Sequence, residues 1–310
     1  MLRFDDFDAW SDTIRGADLG LVCDGVEERN WWLATRGLGR VVVQTAFEGG
    51  GNLCVGANTW GGPLLFMPLT HGDRHLANCR PMGTDALLLI PPGADFRIQV
   101  RRRAHAWCSL ALPPDFPLDF PRADGRGGLG PAAASRVVRV APSGLDRLRR
   151  LVERASRDPA LDGPHTAAHD AAGQALVEAA AICLGQAAAP PVALGRPKID
   201  RAAIVRAAVG LLEEGRVPRP SVVEIARHCG VNERTLGRAF HDTFGVSPLA
   251  YSRLWLLHRV RRRLRDAHPD DTTVAAMLTA HGIWDFGRFA ALYRRQFGEA
   301  PADTLRRRPA

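Results

Sequence analysis

Ser221-Val222-Val223-Glu224-Ile225-Ala226-Arg227-His228-Cys229-Gly230-Val231-Asn232-Glu233-Arg234-Thr235-Leu236 is the stretch on which the reading of the fold turns. Ser221 and Glu224 stand three apart ahead of an apolar run, the capping-box spacing that starts a helix. Ala226 is small where two helices must approach closely, Gly230 accepts a left-handed turn, and Asn232 can cap the helix that follows. Ile225, Cys229, Val231, Leu236 and Ala239 then fall on the faces the two helices bury against each other. The spacing predicts a helix, a tight turn and a second helix over about Glu233 to Thr243.

The arrangement recurs downstream. Thr273 to Phe297 gives a first helix with Val274, Met277 and Leu278, a turn at Gly282-Ile283-Trp284, a cap at Asp285 and a second helix with Phe289, Leu292 and Tyr293. Both units end alike, Phe240-His241-Asp242-Thr243-Phe244-Gly245-Val246-Ser247-Pro248 against Tyr293-Arg294-Arg295-Gln296-Phe297-Gly298-Glu299-Ala300-Pro301. Between them Ser247 caps a helix predicted over Pro248 to Asp266, with proline at its first position. At about 1.5 Å per residue this helix spans about 28 Å. That is close to the roughly 34 Å between successive turns of the major groove on one face of DNA.

Charge follows the same boundary. The chain of 310 residues carries a net charge of +8. From Lys198 onward there are 20 Lys and Arg against 12 Asp and Glu, and 21 of each precede it. A basic segment beside a neutral one points to a polyanion-binding module joined to something else.

The fold class expected is α+β. Residues 1–115 read as a β-rich domain, a cupin-like barrel or sandwich, with short apolar runs at Arg40–Thr45, Leu64–Met67, Ala86–Ile90 and Phe96–Val100 separated by turn-forming clusters. Residues 116–142, rich in Pro, Gly and Ala, read as a loose linker. Residues 143–187 carry two amphipathic helices, a connector that packs on the β domain or on a second subunit. Residues 188–197 form a hinge, and residues 198–310 an all-α domain holding the two units, 221–244 and 273–297, joined by the helix 248–266. The six cysteines lie far apart with no C-x-x-C pair, so they read as reduced thiols. No run reaches the roughly 18 apolar residues of a membrane span, and the opening residues lack a signal-peptide pattern; a soluble cytoplasmic protein is expected.

Over Lys198 to Leu305 the sequence resembles the DNA-binding domain of the AraC/XylS family of bacterial regulators. The resemblance rests on Ile225-Ala226, Gly230-Val231, Thr235-Leu236, Arg238-Ala239-Phe240, Gly245-Val246-Ser247-Pro248, Tyr251, Gly282, Phe289 and Phe297-Gly298. It implies two helix-turn-helix units and a sequence-specific, ligand-responsive transcription regulator: an activator of a catabolic or stress operon, without enzymatic activity or a cofactor. Its expected partners are double-stranded promoter DNA, a small-molecule effector, RNA polymerase and a second copy of the chain. Arg234 and Arg238, a turn apart, can each donate in bidentate fashion to guanine, while Asn232 and Thr235 suit phosphates or base edges. In the second unit Arg288 is the strongest DNA-contacting candidate. The run Arg259, Arg261, Arg262, Arg263, Arg265 reads as a solvated or phosphate-facing surface. Three positions depart from the family pattern: Ala291 stands where arginine is common, Gly287 where a polar contact is frequent, and Leu278 where a small residue is usual. The second unit is therefore expected to anchor on the backbone more than it reads bases. Around Gly282 to Phe289 it resembles the branch that includes ethanolamine-utilisation regulators.

In the β-rich domain Trp31, Trp32, Trp60 and Trp107 are candidates for lining an apolar ligand pocket, with core packing as their bland alternative. His71-Gly72-Asp73-Arg74-His75 has the look of a metal site, but no third ligand follows at a suitable spacing, and no metal is expected. No nucleophile elbow or phosphate loop is present in a recognisable frame. Two other classes of function stay open: a metal-dependent cupin-like enzyme fused to a DNA-binding tail, and an assembly scaffold that senses no ligand.

Overall fold

The computed structural model describes residues 1–118, 134–185, 201–215 and 219–307. It is a mixed α and β structure, with sheets in the N-terminal region and helices in the C-terminal one. The chain divides into two compact units, Met1–Leu21 with Glu27–Leu194, and Val22–Val26 with Gly195–Ala310. The sequence-predicted hinge at 188–197 lies outside the described residues.

In chain order the N-terminal elements are β1 (Leu2–Phe4), α1 (Phe7–Ser11), β2 (Ala17–Val26), β3 (Trp31–Leu38), β4 (Val41–Glu48), β5 (Gly50–Asn58), β6 (Leu64–Pro68), β7 (His75–Ala77), β8 (Arg80–Pro81), β9 (Ala86–Ile90), β10 (Asp95–Val100), β11 (His105–Ala111) and β12 (Arg136–Arg139), then α2 (Pro142–Arg157) and α3 (Ala167–Gly185). Among the described residues, seven strands form one sheet in the order β1-β3-β4-β11-β6-β9-β12, and five form the other in the order β2-β5-β10-β7-β8.

Successive residues of a strand point to opposite faces, so each strand of the larger sheet sends alternate side chains two ways. Val41 and Val43, Leu65 and Met67, Leu87 and Leu89, and Cys108 and Leu110 point outward into a core completed by Leu145, Leu148 and Val152 of α2 and by Leu176, Ala179 and Cys183 of α3. Gln44, Glu48, Leu64, Phe66, Ile90, Trp107 and Ser109 point inward, where they meet Cys54, Phe96 and Ile98 of the smaller sheet. Covered on both faces, β9 reads as the unbroken apolar run Ala86-Leu87-Leu88-Leu89-Ile90 rather than as an alternation. Of the two packing partners that the sequence left to α2 and α3, this structure shows the β sheet. Arg36 of β3 fastens the end of α2 by donating to the Ala155 and Asp158 carbonyls at 2.9 and 2.8 Å.

The loose linker expected over 116–142 needs correction at its end. Residues 136–139 form β12, antiparallel to β9 with Val137 opposite Leu88. Residues 119–133 lie outside the described part. The alternation in Arg136-Val137-Val138-Arg139 is too short to announce a strand, which forms because the edge of β9 is available to pair.

The helical unit contains α4 (Arg201–Glu214), α5 (Val222–His228), α6 (Glu233–Phe244), α7 (Pro248–Asp266), α8 (Val274–Ala280), α9 (Phe286–Phe297) and α10 (Pro301–Arg306). Among the described residues no helix is long and apolar enough to cross a membrane.

Candidate nucleic-acid interface

The first helix pair is built as its sequence requires. Ser221 Oγ accepts the Glu224 N–H at 3.2 Å, and Glu224 returns the bond by accepting the Ser221 N–H at 2.7 Å. The Ser221 N–H and hydroxyl hold the Glu224 carboxyl below the usual carboxylate range. The chain turns at Gly230, whose φ of +64° lies in the left-handed region, and Val231 N–H closes the turn onto the Ala226 carbonyl at 3.0 Å. Asn232 then caps α6 by accepting from Thr235 N–H at 2.8 Å. Beneath the pair, Tyr251 of α7 stacks on Phe244 with ring centroids 4.9 Å apart and meets Phe240 edge-on at 5.4 Å. What remains outside is one face of α6: Asn232, Arg234 and Arg238 are exposed, and Thr235 is half-buried.

The second pair repeats the frame. Thr273 caps α8 by accepting from Ala276 N–H at 3.1 Å. Gly282 turns with φ +68°, and Ile283 N–H reaches the Leu278 carbonyl at 2.9 Å. Asp285 caps α9 by accepting from Arg288 N–H at 3.0 Å. Leu278, Ile283, Phe289, Tyr293 and Phe297 share a core with Leu257, Val260 and Leu264 of α7. Leu278, where the resemblance led to a small residue, is thus simply part of that core. Arg288 is exposed.

One arginine of α7 corrects the expectation of a solvated run. The Arg261 and Glu299 side chains are only 4% and 5% exposed and form an ion pair at 3.0 Å. Arg261 also lies over the Phe297 ring, 4.7 Å from its centroid. Thr304 Oγ1 donates to Glu299 at 2.9 Å and bonds the Tyr293 hydroxyl at 2.8 Å. A charge so placed persists only when paired and hydrogen-bonded. Arg262 and Arg263 are exposed, whereas Arg259 packs over Trp255.

Residues 225–307 match the model of a helix-turn-helix domain. The chain is 34% identical over 114 residues to the XylDLEGF operon transcriptional activator 1 of Pseudomonas putida, a match covering 37% of this chain and 33% of the relative. It is 32% identical over 116 residues to a probable thc operon regulatory protein of Rhodococcus erythropolis, covering 37% and 35%. The C-terminal domain is thus a helix-turn-helix domain similar in sequence to that of operon regulators of the AraC/XylS type. A probable AraC family transcriptional regulator from Rhodopseudomonas palustris, known as a structure, is 34% identical, with 34% of this chain and 98% of that chain covered and a TM-score of 0.31. The chain spans about a third of the length of the two curated relatives.

Within the C-terminal domain, α7 runs beneath both pairs, and a groove of about 580 Å³ opens beside it. Arg219, Arg253 and Arg288 line this groove with Ser221, Trp255 and Ile283. Arg219 donates to the Gly282 carbonyl at 3.3 Å, a direct bond between the approach to α5 and the second turn. Cations from three separate segments therefore converge between the two pairs, which the sequence could not show because their proximity is tertiary.

Among the tryptophans of the β-rich unit, the structure separates the candidates. Trp107 lines a small cavity of about 60 Å³ between the sheets, beside Glu48, Asn52, Phe66 and Phe96. Trp31 is buried edge-on against Phe7 at 6.5 Å, Trp32 stacks on Phe47, and Trp60 donates to the Leu112 carbonyl at 2.7 Å; none of the three lines this cavity. Sequence reasoning missed the polar residues of the wall. Glu48 accepts from Trp107 Nε1 and from Asn52 Nδ2, both at 2.7 Å, and His105 Nε2 lies 3.4 Å from it. Burial works against protonation of His105, but the Glu48 carboxylate and the Arg103 and Gly50 carbonyls outweigh it and raise its pKa. His75, its ring 5.0 Å from that of His105, is pushed down to about 3 by burial and by His105. Among the described residues no three His, Cys, Asp or Glu are grouped so as to hold a metal ion.

Proposed function

We propose that this chain is a transcription activator that binds promoter DNA through both helix pairs and answers to a small molecule bound in its β-rich unit. One observation carries the DNA-binding part: Arg234 and Arg238 stand exposed and one turn apart on a helix whose opposite face is committed to packing. α6 enters the major groove and these two arginines donate in bidentate fashion to guanine, while Asn232 and Thr235, at the start of the helix, meet phosphates or base edges. α9 enters the next groove on the same face, about 28 Å along α7, with Arg288 toward the backbone. The groove lined by Arg219, Arg253 and Arg288 receives the DNA strand that passes between α6 and α9. Phosphate contacts of this kind position the protein without reading sequence.

The effector reading rests on the wall of the cavity beside Trp107, where apolar side chains meet the buried Glu48 and Asn52; at about 60 Å³ the cavity is well below the size of an ordinary ligand pocket and must widen to hold an effector. An effector there would regulate a catabolic or stress operon from the cytoplasm, with RNA polymerase and a second copy of the chain as partners.

Duplexes recovered by the full chain from a random library test the proposal. Arg234→Ala and Arg238→Ala should each relax the preference at one guanine, by about 1–3 kcal/mol, while leaving salt-sensitive binding to other sequences. Unchanged site-specific affinity in both variants would overturn it. For the effector, a compound present at 100 times its Kd should add about 2.7 kcal/mol to stability in a thermal-shift screen.

A further inference from the structure

The two pairs differ in the spacing of their corresponding residues. The turn residues Gly230 and Gly282, and the bonds Val231 to Ala226 and Ile283 to Leu278, correspond at a separation of 52 residues. The caps Asn232 and Asp285, and the ends of the second helices at Phe244 and Phe297, correspond at 53. The second turn is therefore one residue longer, and the added residue is Trp284. Its side chain is not stored in the core: Trp284 is 74% exposed and its neighbour Phe286 38%.

The same register places Gly287 opposite Arg234 and Ala291 opposite Arg238. Both base-reading positions of α6 thus become small residues on α9. Packing does not demand the glycine, since a Cβ at Gly287 would meet nothing within 4 Å. The outcome is a bare helix face with two exposed aromatic rings at its start, and cations around it: Arg219, Arg253 and Arg288 in the adjoining groove, Arg294 and Arg295 further along α9. The Asp285 carboxylate is engaged in capping. An apolar surface ringed by arginines fits a polyanion that itself offers an apolar feature. In the major groove that feature is the C5 methyl of thymine.

We infer that α9 reads DNA through apolar contact: Trp284 and Phe286 pack on thymine methyl groups, and Gly287 and Ala291 let the helix backbone come close enough for them to do so. The first pair specifies guanine by hydrogen bonds and the second specifies thymine by shape. This rests on the DNA-binding reading above and changes one part of it, since the second pair then discriminates as well as anchors.

The test uses duplexes selected by the full chain, with the two half-sites assigned by the loss of guanine preference in Arg238→Ala. Failure to recover any preferred sequence would sink the DNA-binding reading itself. Given such a sequence, each thymine in the second half-site is replaced by deoxyuridine, which removes only the methyl group. One or two positions should weaken binding by about four-fold each. Trp284→Ala, a substitution at an exposed residue, should no longer distinguish thymine from uracil at one of these positions and should keep the salt dependence of the parent. Arg288→Ala should instead lower the salt slope by about one and keep the preference for thymine. Two results would overturn the inference: indifference of the parent protein to uracil throughout the second half-site, or an equal loss by Trp284→Ala on both duplexes, which would place the ring against sugar rather than methyl.

Discussion

The two helix pairs share a frame and differ in almost everything the frame presents. Each has a capped first helix, a left-handed glycine, a capped second helix and an aromatic cluster underneath. The first rests on Phe240, Phe244 and Tyr251, three rings in mutual contact. The second rests on Tyr293 and Phe297 with a buried ion pair beside them. On the outer faces, arginines in one pair correspond to glycine and alanine in the other. The positions that hold two helices together are constrained by geometry common to both, whereas the exposed positions answer only to what lies outside.

The largest difference between the two pairs is expected at the buried ion pair. Glu299→Ala leaves Arg261 buried without its carboxylate and should cost about 3–5 kcal/mol of stability in urea unfolding, whereas Arg261→Met combined with Glu299→Leu should recover most of it. Recovery would show that the second floor needs balance rather than charge; no loss in the single variant would mean the pair is dispensable. Next in size, Arg238→Ala should lose about 1–3 kcal/mol of binding at one guanine, while Ala291→Gly on the other helix should lose almost none. Titrating both variants against one selected duplex measures this asymmetry directly. Smaller and symmetrical effects are expected at the caps, where Asn232→Ala and Asp285→Ala should each lower stability by about 1 kcal/mol. A cost at only one would show that the frames are less alike than their geometry. Least of all, Gly237→Ala, which gives α6 the residue that Ala290 supplies in α9, should raise stability by about 0.5–1 kcal/mol, because a Cβ there meets nothing and the helix prefers alanine. A fall in melting temperature would mean that α6 needs the glycine.

What the sequence reveals follows from how far apart the interacting residues lie. Ser221 with Glu224, Gly230 and Asn232 act within one turn of chain, so both helix pairs could be read from local spacing. Arg261 could not, because the residue that buries it stands at position 299 and the neighbouring arginines disguise it as one of a surface run. The cavity is similar: Trp107 is visible as an aromatic, but its partner Glu48 lies 59 residues away. Trp31 and Trp60 went to packing because nothing in a tryptophan's own neighbourhood says which side of a strand it will occupy.

α7 has a consequence for how such a chain can change over time. As a single uninterrupted helix whose Tyr251 end belongs to one floor and whose Leu257-to-Leu264 end belongs to the other, it sets rotational phase as well as distance. Adding or removing one residue would swing the second pair about 100° around the axis, and even a whole added turn would slide it about 5.4 Å. That exceeds the roughly 3.4 Å step between base pairs, so under the proposed DNA-binding function neither change leaves both pairs matched to one duplex. New binding preferences can arise by substitution on the outer faces of α6 and α9, but hardly by altering the length of the helix that joins them.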